Sequence, residues 1–162
     1  MRALLETTCV GRSFDQMRGW SIHCAERVLE TSDRIEPEVS VLNRERVVHR
    51  WPLRWEWLAD DQAAAPLWRE RLPAQVRAVG GVAYAVVMPG WMDAEGGLWV
   101  LEPQERPAEL DEVVILAVGD RRTHELRVGL IHHRPASGIS PWERVRLGAY
   151  EPLLGALDRA LV

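Results

Sequence analysis

The stretch that decides the fold is VAYAVVM at residues 82–88, an apolar run with no charge on either face. Successive side chains of a strand point to opposite faces, so a run of this kind predicts a strand that is covered on both sides. Gly80 and Gly81 precede the run and are typical of a helix end. The sequence therefore predicts a central strand with a helix immediately before it.

Further strands are predicted on both sides of this run. Residues 47–57 alternate between apolar and polar side chains, which is the period of a strand, and a shorter strand at 39–42 joins it at Asn43-Arg44. Pro52 has no amide donor, so the longer strand is expected at an edge of the sheet. After the central run, the patterns predict strands at 98–101, 113–118 and 125–132, followed by a loop at 135–141.

Three helices complete the pattern. The first is predicted at 15–31, where an apolar stripe recurs at helical spacing and consists of Met17, Trp20, Ser21, Cys24, Ala25 and Val28. The second runs from Asp60 or Asp61 to Val79 with a kink at Pro73, and the third begins at Pro152. The resulting order is α-β-β-α-β-β-β-β-α. We expect a single α+β domain over residues 1–162, with helices packed on a mainly antiparallel sheet of about five to six strands.

Composition excludes several classes of function. The chain has 162 residues, 20 of them basic and 24 acidic, and its net charge of -4 does not describe a general nucleic-acid or anionic-membrane binder. All the basic residues are arginine, which excludes Schiff-base chemistry and a phosphate-binding lysine. The cysteines, Cys9 and Cys24, are expected to be reduced. The sequence has neither a signal-peptide core nor an apolar stretch of membrane-helix length, so we expect a soluble, cytoplasmic protein.

Histidine is the side chain best suited to acid/base catalysis, and His132 and His133 are adjacent at the end of a predicted strand. The stretch 128–135, with Ser140 after it, resembles part of the JAB/MPN metalloprotease signature, in which His-x-His-Pro ends a strand. Adjacent strand residues point to opposite faces, so these two imidazoles would not bind one metal ion together, and the chain is not assigned to that family. One hypothesis is nonetheless a metal-dependent or acid/base hydrolase centred on His132 or His133, with Glu143 or Glu125 as the acid partner. The sequence contains no phosphate loop, dinucleotide fingerprint or zinc motif, so we expect no cofactor and no resident metal.

Tryptophan is unusually common, with eight residues against two tyrosines and one phenylalanine. Such side chains either fill a core or form a surface for a partner, and the sequence leaves both open. The candidate binding residues are Arg46, Arg50, Trp55, Trp91 and Trp142. A nucleic-acid site is a further alternative, through Arg44, Arg46, Arg50 and Arg54. The net acidity disfavours it, as does the strand alternation that places arginine and tryptophan on opposite faces.

The first hypothesis for function is a non-enzymatic binding or interaction module of unknown ligand. The sequence contains a basic stretch at 44–54 and an acidic stretch at 93–112. Opposite charges on two copies can pair, so a homodimer or another protein partner is expected, with the edge strand at the interface. Whether the chain is an enzyme stays open at this point.

Overall fold

The structure is a computed structural model that describes residues 13–32, 34–54, 66–99, 109–132, 138–145 and 151–162. Its helices are α1 (Ser13–Thr31), α2 (Leu72–Ala78) and α3 (Glu151–Ala160), and a short π-helix (Leu67–Arg71) leads into α2. Its strands are β1 (Glu38–Asn43), β2 (Val48–Pro52), β3 (Gly81–Met92), β4 (Leu98–Trp99), β5 (Asp111–Asp120), β6 (His124–His132) and β7 (Gly138–Val145).

The strands form one antiparallel sheet in the order β2-β1-β3-β5-β6-β7. The two-residue strand β4 also pairs with β3 but is not part of this linear order. The predicted α+β class with an antiparallel sheet is therefore confirmed. β3, which contains the uncharged run, lies between β1 and β5 as a central strand. β2, which contains Pro52, lies at the edge, where a missing amide donor is tolerated.

Helices cover both faces of this sheet, which explains why β3 carries no charge. On one face α1 packs against the central strands, and this cluster consists of Phe14, Met17, Leu42, Ala83, Ala85, Leu116 and Val118. On the other face α2 and α3 pack against alternate residues of the same strands, among them Val76, Leu157, Tyr84, Val86 and Ile115. Burial of both faces of a strand is the arrangement that an unbroken apolar run favours.

The buried line of α1 differs from the predicted stripe. Its buried residues recur at four-residue spacing and are Met17, Ser21, Ala25 and Leu29, preceded by Phe14. Trp20 and Cys24 are half-buried, and Val28 is 37% exposed, so these three members of the predicted stripe lie outside its buried line. These three residues lie along one margin of the contact between helix and sheet.

Two further segments differ from expectation. β7 begins at Gly138, inside the predicted loop at 135–141, because its place at the sheet edge tolerates Pro141. The predicted kink in the second helix appears as a change from π-helix to α-helix just before Pro73. The predicted start of that helix and the strand residues 55–57 lie outside the described residues. Within the described part of the chain, no helix is long and apolar enough to cross a membrane.

A chain of hydrogen bonds fastens α3 to the sheet. The hydroxyl of Tyr84 in β3 donates to Asp158 Oδ1 in α3 at 2.8 Å, and Asp158 Oδ2 pairs with His124 Nδ1 of β6. Burial, together with the charge of Asp158, raises the pKa of Tyr84 far above its ordinary value. The tyrosine ring fits because its cross-strand neighbour is Gly119, where a Cβ would lie 2.5 Å from Tyr84 Cζ.

Candidate functional site

A cleft of about 340 Å³ lies between α1 and the hairpin formed by β1 and β2. One wall comes from α1 and consists of Trp20, Ser21, Cys24, Ala25 and Val28. The other comes from the strands and consists of Glu38, Ser40, Arg50 and Val87, and residues between α1 and β1 close one end, among them Ser32, Arg34, Ile35 and Glu36. Its volume falls at the lower end of the range for small-molecule sites, about 300–1,000 Å³.

The cleft exists because of the way α1 sits on the sheet. The buried line of the helix directs Ser21 and Ala25 to the sheet and leaves Trp20 and Cys24 facing sideways over β1. Residues on one face of a helix recur every three to four positions, so the lateral residues also form a row. That row and the strand face of β1 are the two sides of the cleft.

One part of the cleft is apolar. Ala25 and Ile35 are buried, while Val87 and Val28 are partly accessible. These side chains offer no hydrogen-bonding group, so they provide a contact surface for hydrocarbon. Transfer of such surface out of water is favourable by roughly 25 cal/mol per Å².

The polar part of the cleft is built around Arg50 and Glu38. Arg50 Nε donates to Glu38 Oε1 at 2.7 Å and its Nη2 donates to Oε2 at 3.1 Å, so the two side chains form a two-pronged pair. The Ser40 hydroxyl adds a hydrogen bond to Glu38 Oε1 at 3.2 Å. The Arg50 guanidinium also lies 5.4 Å from the centre of the Trp20 ring, a cation–π distance. The orientation of Arg50 is thus set by β1 and α1 together.

Protonation states in the cleft follow from these contacts. The hydrogen bond that Arg50 donates to Glu38 raises the pKa of Arg50 above its already high ordinary value, so Arg50 is a permanent cation. Burial raises the pKa of the Cys24 thiol above 9.0, although the charge of Arg50 acts in the opposite direction. Cys24 is therefore a neutral thiol at physiological pH, and a weak hydrogen-bond donor.

Ser21 presents a buried hydroxyl at the wall of the cleft. The residue is 2% exposed, and its Oγ has no hydrogen-bond partner among the described residues. Buried polar side chains are nearly always hydrogen-bonded, and a buried group without a partner costs about 1–3 kcal/mol. The hydroxyl is covered in this structure, so a molecule in the cleft contacts it only if Ser21 or its neighbours move.

The predicted catalytic residues lie at the far edge of the sheet. His132 is exposed at the end of β6 and pairs with Gly138, whereas Glu143 is exposed on β7 and pairs with Val128. Four residues of strand separate the two positions, which corresponds to about 13 Å. His133 lies outside the described residues. Groups of three or more potential metal-binding side chains are not found in the described part of the chain.

The predicted binding residues are dispersed, and one of them belongs to the cleft. Arg50 lines it, while Arg46 sits in the hairpin turn and donates to Gln16 Oε1 of α1 at 2.9 Å. Trp91 is 5% exposed within β3, so its side chain is part of the interior. Trp142 packs against α1 and donates from Nε1 to Glu26 Oε1 at 3.1 Å. Trp55 lies outside the described residues.

A second charged cluster joins α1 to β6. Glu125 is a buried carboxylate that accepts hydrogen bonds from Arg127 Nε at 2.6 Å and Arg18 Nη1 at 3.1 Å. Burial alone would raise the pKa of Glu125, but the hydrogen bonds and charges of the two arginines hold it below its ordinary value. This cluster anchors α1 at a distance from the cleft.

Apart from Arg50, the sequence analysis assigned none of the cleft residues to a site, and those it missed include Trp20, Ser21, Cys24, Glu38 and Ser40. The available signal was the presence of tryptophan, serine and cysteine in an otherwise apolar stripe. Comparison of the chain with protein-family models, with curated proteins and with solved structures finds no significant match.

Proposed function

We propose that this protein is a non-enzymatic binding module, and that its ligand is a small amphipathic molecule held in the cleft between α1 and the β1–β2 hairpin. The observation that carries the proposal is the cleft itself, which combines about 340 Å³ of space with a buried hydroxyl that has no partner among the described residues. A few fixed polar groups beside an apolar wall are the usual composition of a ligand site.

The contacts of Arg50 support a binding role. Its pairing with Glu38 and its position over Trp20 hold the guanidinium before any ligand arrives. A group that is already oriented loses little conformational freedom on binding, so more of the interaction appears as affinity. Among the described candidates for catalysis, His132 and Glu143 lie four strand positions apart at the far edge of the sheet, and we rank the hydrolase hypothesis lower.

The test uses 1-anilinonaphthalene-8-sulfonate, an amphipathic dye, with direct excitation of the dye. We expect one equivalent to bind the wild-type protein. The Val28→Trp variant fills the apolar side of the cleft from a position that is already 37% exposed, and should weaken binding by about tenfold or more.

Arg27→Trp is the matched control, since Arg27 is an exposed neighbour on the same helix and does not line the cleft. It should bind the dye as the wild type does. Equal binding by both tryptophan variants would place the dye elsewhere and contradict the proposal, as would a wild-type protein that does not bind it.

Self-association is a second candidate, favoured by the position of β2 at the edge of the described sheet. An edge strand has unpaired backbone groups on one side, and another copy can pair with them. Val47, directly before β2, is 50% exposed and suits such a contact. The pairing of Arg50 with Glu38 and of Arg46 with α1 shows that two arginines of the basic stretch have partners within the chain.

Sedimentation equilibrium at low and high salt tests this second candidate. We expect a dimer that Val47→Glu dissociates. Val162→Glu places the same charge at another exposed valine and should leave the dimer intact. A monomer mass for the wild type at both salt concentrations, at tens of micromolar protein, would refute self-association.

A further inference from the structure

We infer that the cleft selects ligands that carry a carboxylate at one end of a short hydrocarbon body, with Arg50 as the residue that recognises the carboxylate. This inference rests on the proposed function, because it names the ligand class of the same site.

Arg50 has hydrogen-bond donors that its contact with Glu38 does not use. A guanidinium has five N–H donors, and Glu38 takes one from Nε and one from Nη2. In the described part of the chain, no hydrogen-bond acceptor contacts Nη1. Half of the Arg50 side chain is exposed, and the residue lines the cleft.

The Glu38 carboxylate, by contrast, has little acceptor capacity left for a ligand. Glu38 Oε1 accepts from Arg50 and Ser40, and Oε2 accepts from Arg50. Most of the acceptor capacity of this carboxylate is therefore used. The Ser21 hydroxyl and the neutral Cys24 thiol can each donate or accept a hydrogen bond, whereas the unused groups of Arg50 can only donate. A ligand group that matches Arg50 must therefore accept hydrogen bonds.

The charge and shape of the Arg50 guanidinium match those of a carboxylate. A guanidinium edge with two parallel N–H groups fits a carboxylate in two-pronged geometry, and such pairs are stronger than neutral hydrogen bonds. The two ion pairs of the cleft, Arg50 with Glu38 and Arg34 with Glu36, are each neutral in sum, so the preference for a carboxylate rests on the unused donors of Arg50 and not on a net charge. The apolar residues Ala25, Val28 and Ile35 then contact the hydrocarbon body. The cleft volume limits this body to a short chain.

The experiment compares octanoate, octanamide and octylammonium, which each have eight carbon atoms and differ in the charge of the head group. Each is titrated against the bound dye of the preceding section. We expect octanoate to displace the dye at concentrations at least about tenfold lower than the other two require.

Two substitutions of equal charge identify the residue responsible. Arg50→Gln should remove the preference for octanoate, and Arg50→Lys should restore part of it, since lysine keeps the charge but not the planar fork. Arg34→Gln removes the same charge from the cleft end and should leave the preference intact. Circular dichroism establishes that each variant is folded.

The outcomes separate the inference from the proposal beneath it. If octanamide or octylammonium displaces the dye as well as octanoate does, the cleft binds amphipathic molecules and the carboxylate inference is wrong. If Arg34→Gln and Arg50→Gln lose the preference for octanoate to the same extent, the carboxylate inference is also wrong, because the overall charge of the cleft would then explain the preference. If the dye binding is insensitive to Val28→Trp, the proposed function itself fails.

Discussion

Replacement of Gly119 by alanine tests the packing beneath the hydrogen bonds that fasten α3. The new Cβ would lie 2.5 Å from Tyr84 Cζ and 2.7 Å from Cε1. Carbon atoms pack at about 3.5–4.0 Å, so the ring has to shift by about 1 Å. That shift takes the Tyr84 hydroxyl beyond hydrogen-bonding distance of Asp158, from which it now lies 2.8 Å. Overpacking costs about 1–3 kcal/mol and a hydrogen bond to a charged group contributes about 1.5–3 kcal/mol, so we expect a loss of about 3 kcal/mol in the free energy of unfolding.

Urea unfolding followed by far-ultraviolet circular dichroism measures this loss. Gly19→Ala is the control, since a Cβ at that position in α1 meets nothing within 4 Å, and it should stabilise the protein by up to about 1 kcal/mol. Combining Gly119→Ala with Tyr84→Leu should cost at least about 1 kcal/mol less than the sum of the single changes, because the leucine leaves the space that the new methyl needs. A loss below about 0.5 kcal/mol for Gly119→Ala, or strict additivity in the double variant, would refute the reasoning.

Three further predictions concern single residues. Hydrogen bonds from arginine hold the pKa of Glu125 below its ordinary 4.5, so the stability that the Glu125 carboxylate contributes is present above that pH and is lost as the pH falls through the lowered pKa. The melting temperatures of wild type and Glu125→Gln should therefore converge in acid. A difference in melting temperature that stays constant with pH would contradict this. Val86→Asp places a carboxylate at a fully buried position in β3 and should unfold the protein, whereas Val28→Asp, at an exposed position, should change stability little. A soluble Val86→Asp protein with the wild-type melting temperature would be inconsistent with the buried position of Val86. In a Cys9→Ser background, alkylation of Cys24 by iodoacetamide should be slow at neutral pH and should accelerate above pH 9.0, since burial raises the pKa of the Cys24 thiol. Rapid alkylation at neutral pH would show that Cys24 is not a neutral thiol there.

The fold was largely predictable because its strongest signals are local. An uncharged run predicts a strand covered on both faces, and β3 is such a strand. A proline within an alternating pattern predicts an edge, and β2 is an edge. The same rule was applied less well to Pro141, where proline was interpreted as part of a loop although edge strand β7 contains it.

The cleft was not predictable from the same patterns. Helical periodicity identifies an apolar face, but not the line of closest contact within that face, which depends on the surface of the sheet. A small rotation of α1 about its own axis decides whether the side chains of Trp20 and Cys24 enter the core or line a cavity. Contacts between distant residues are also invisible to pattern analysis, and Tyr84 and Asp158 are 74 positions apart.

The contacts of Arg46 with α1 have a consequence for the β1–β2 hairpin, which contributes one wall of the cleft. Arg46 Nη1 donates to Gln16 Oε1 at 2.9 Å and to Ser13 Oγ at 3.4 Å, so the turn of the hairpin is attached to the first turns of α1. Arg50 contacts Trp20 further along the same helix. The hairpin is thus held to α1 at two places, and a displacement of the hairpin that widened the cleft would have to break contacts of Arg46 as well as of Arg50.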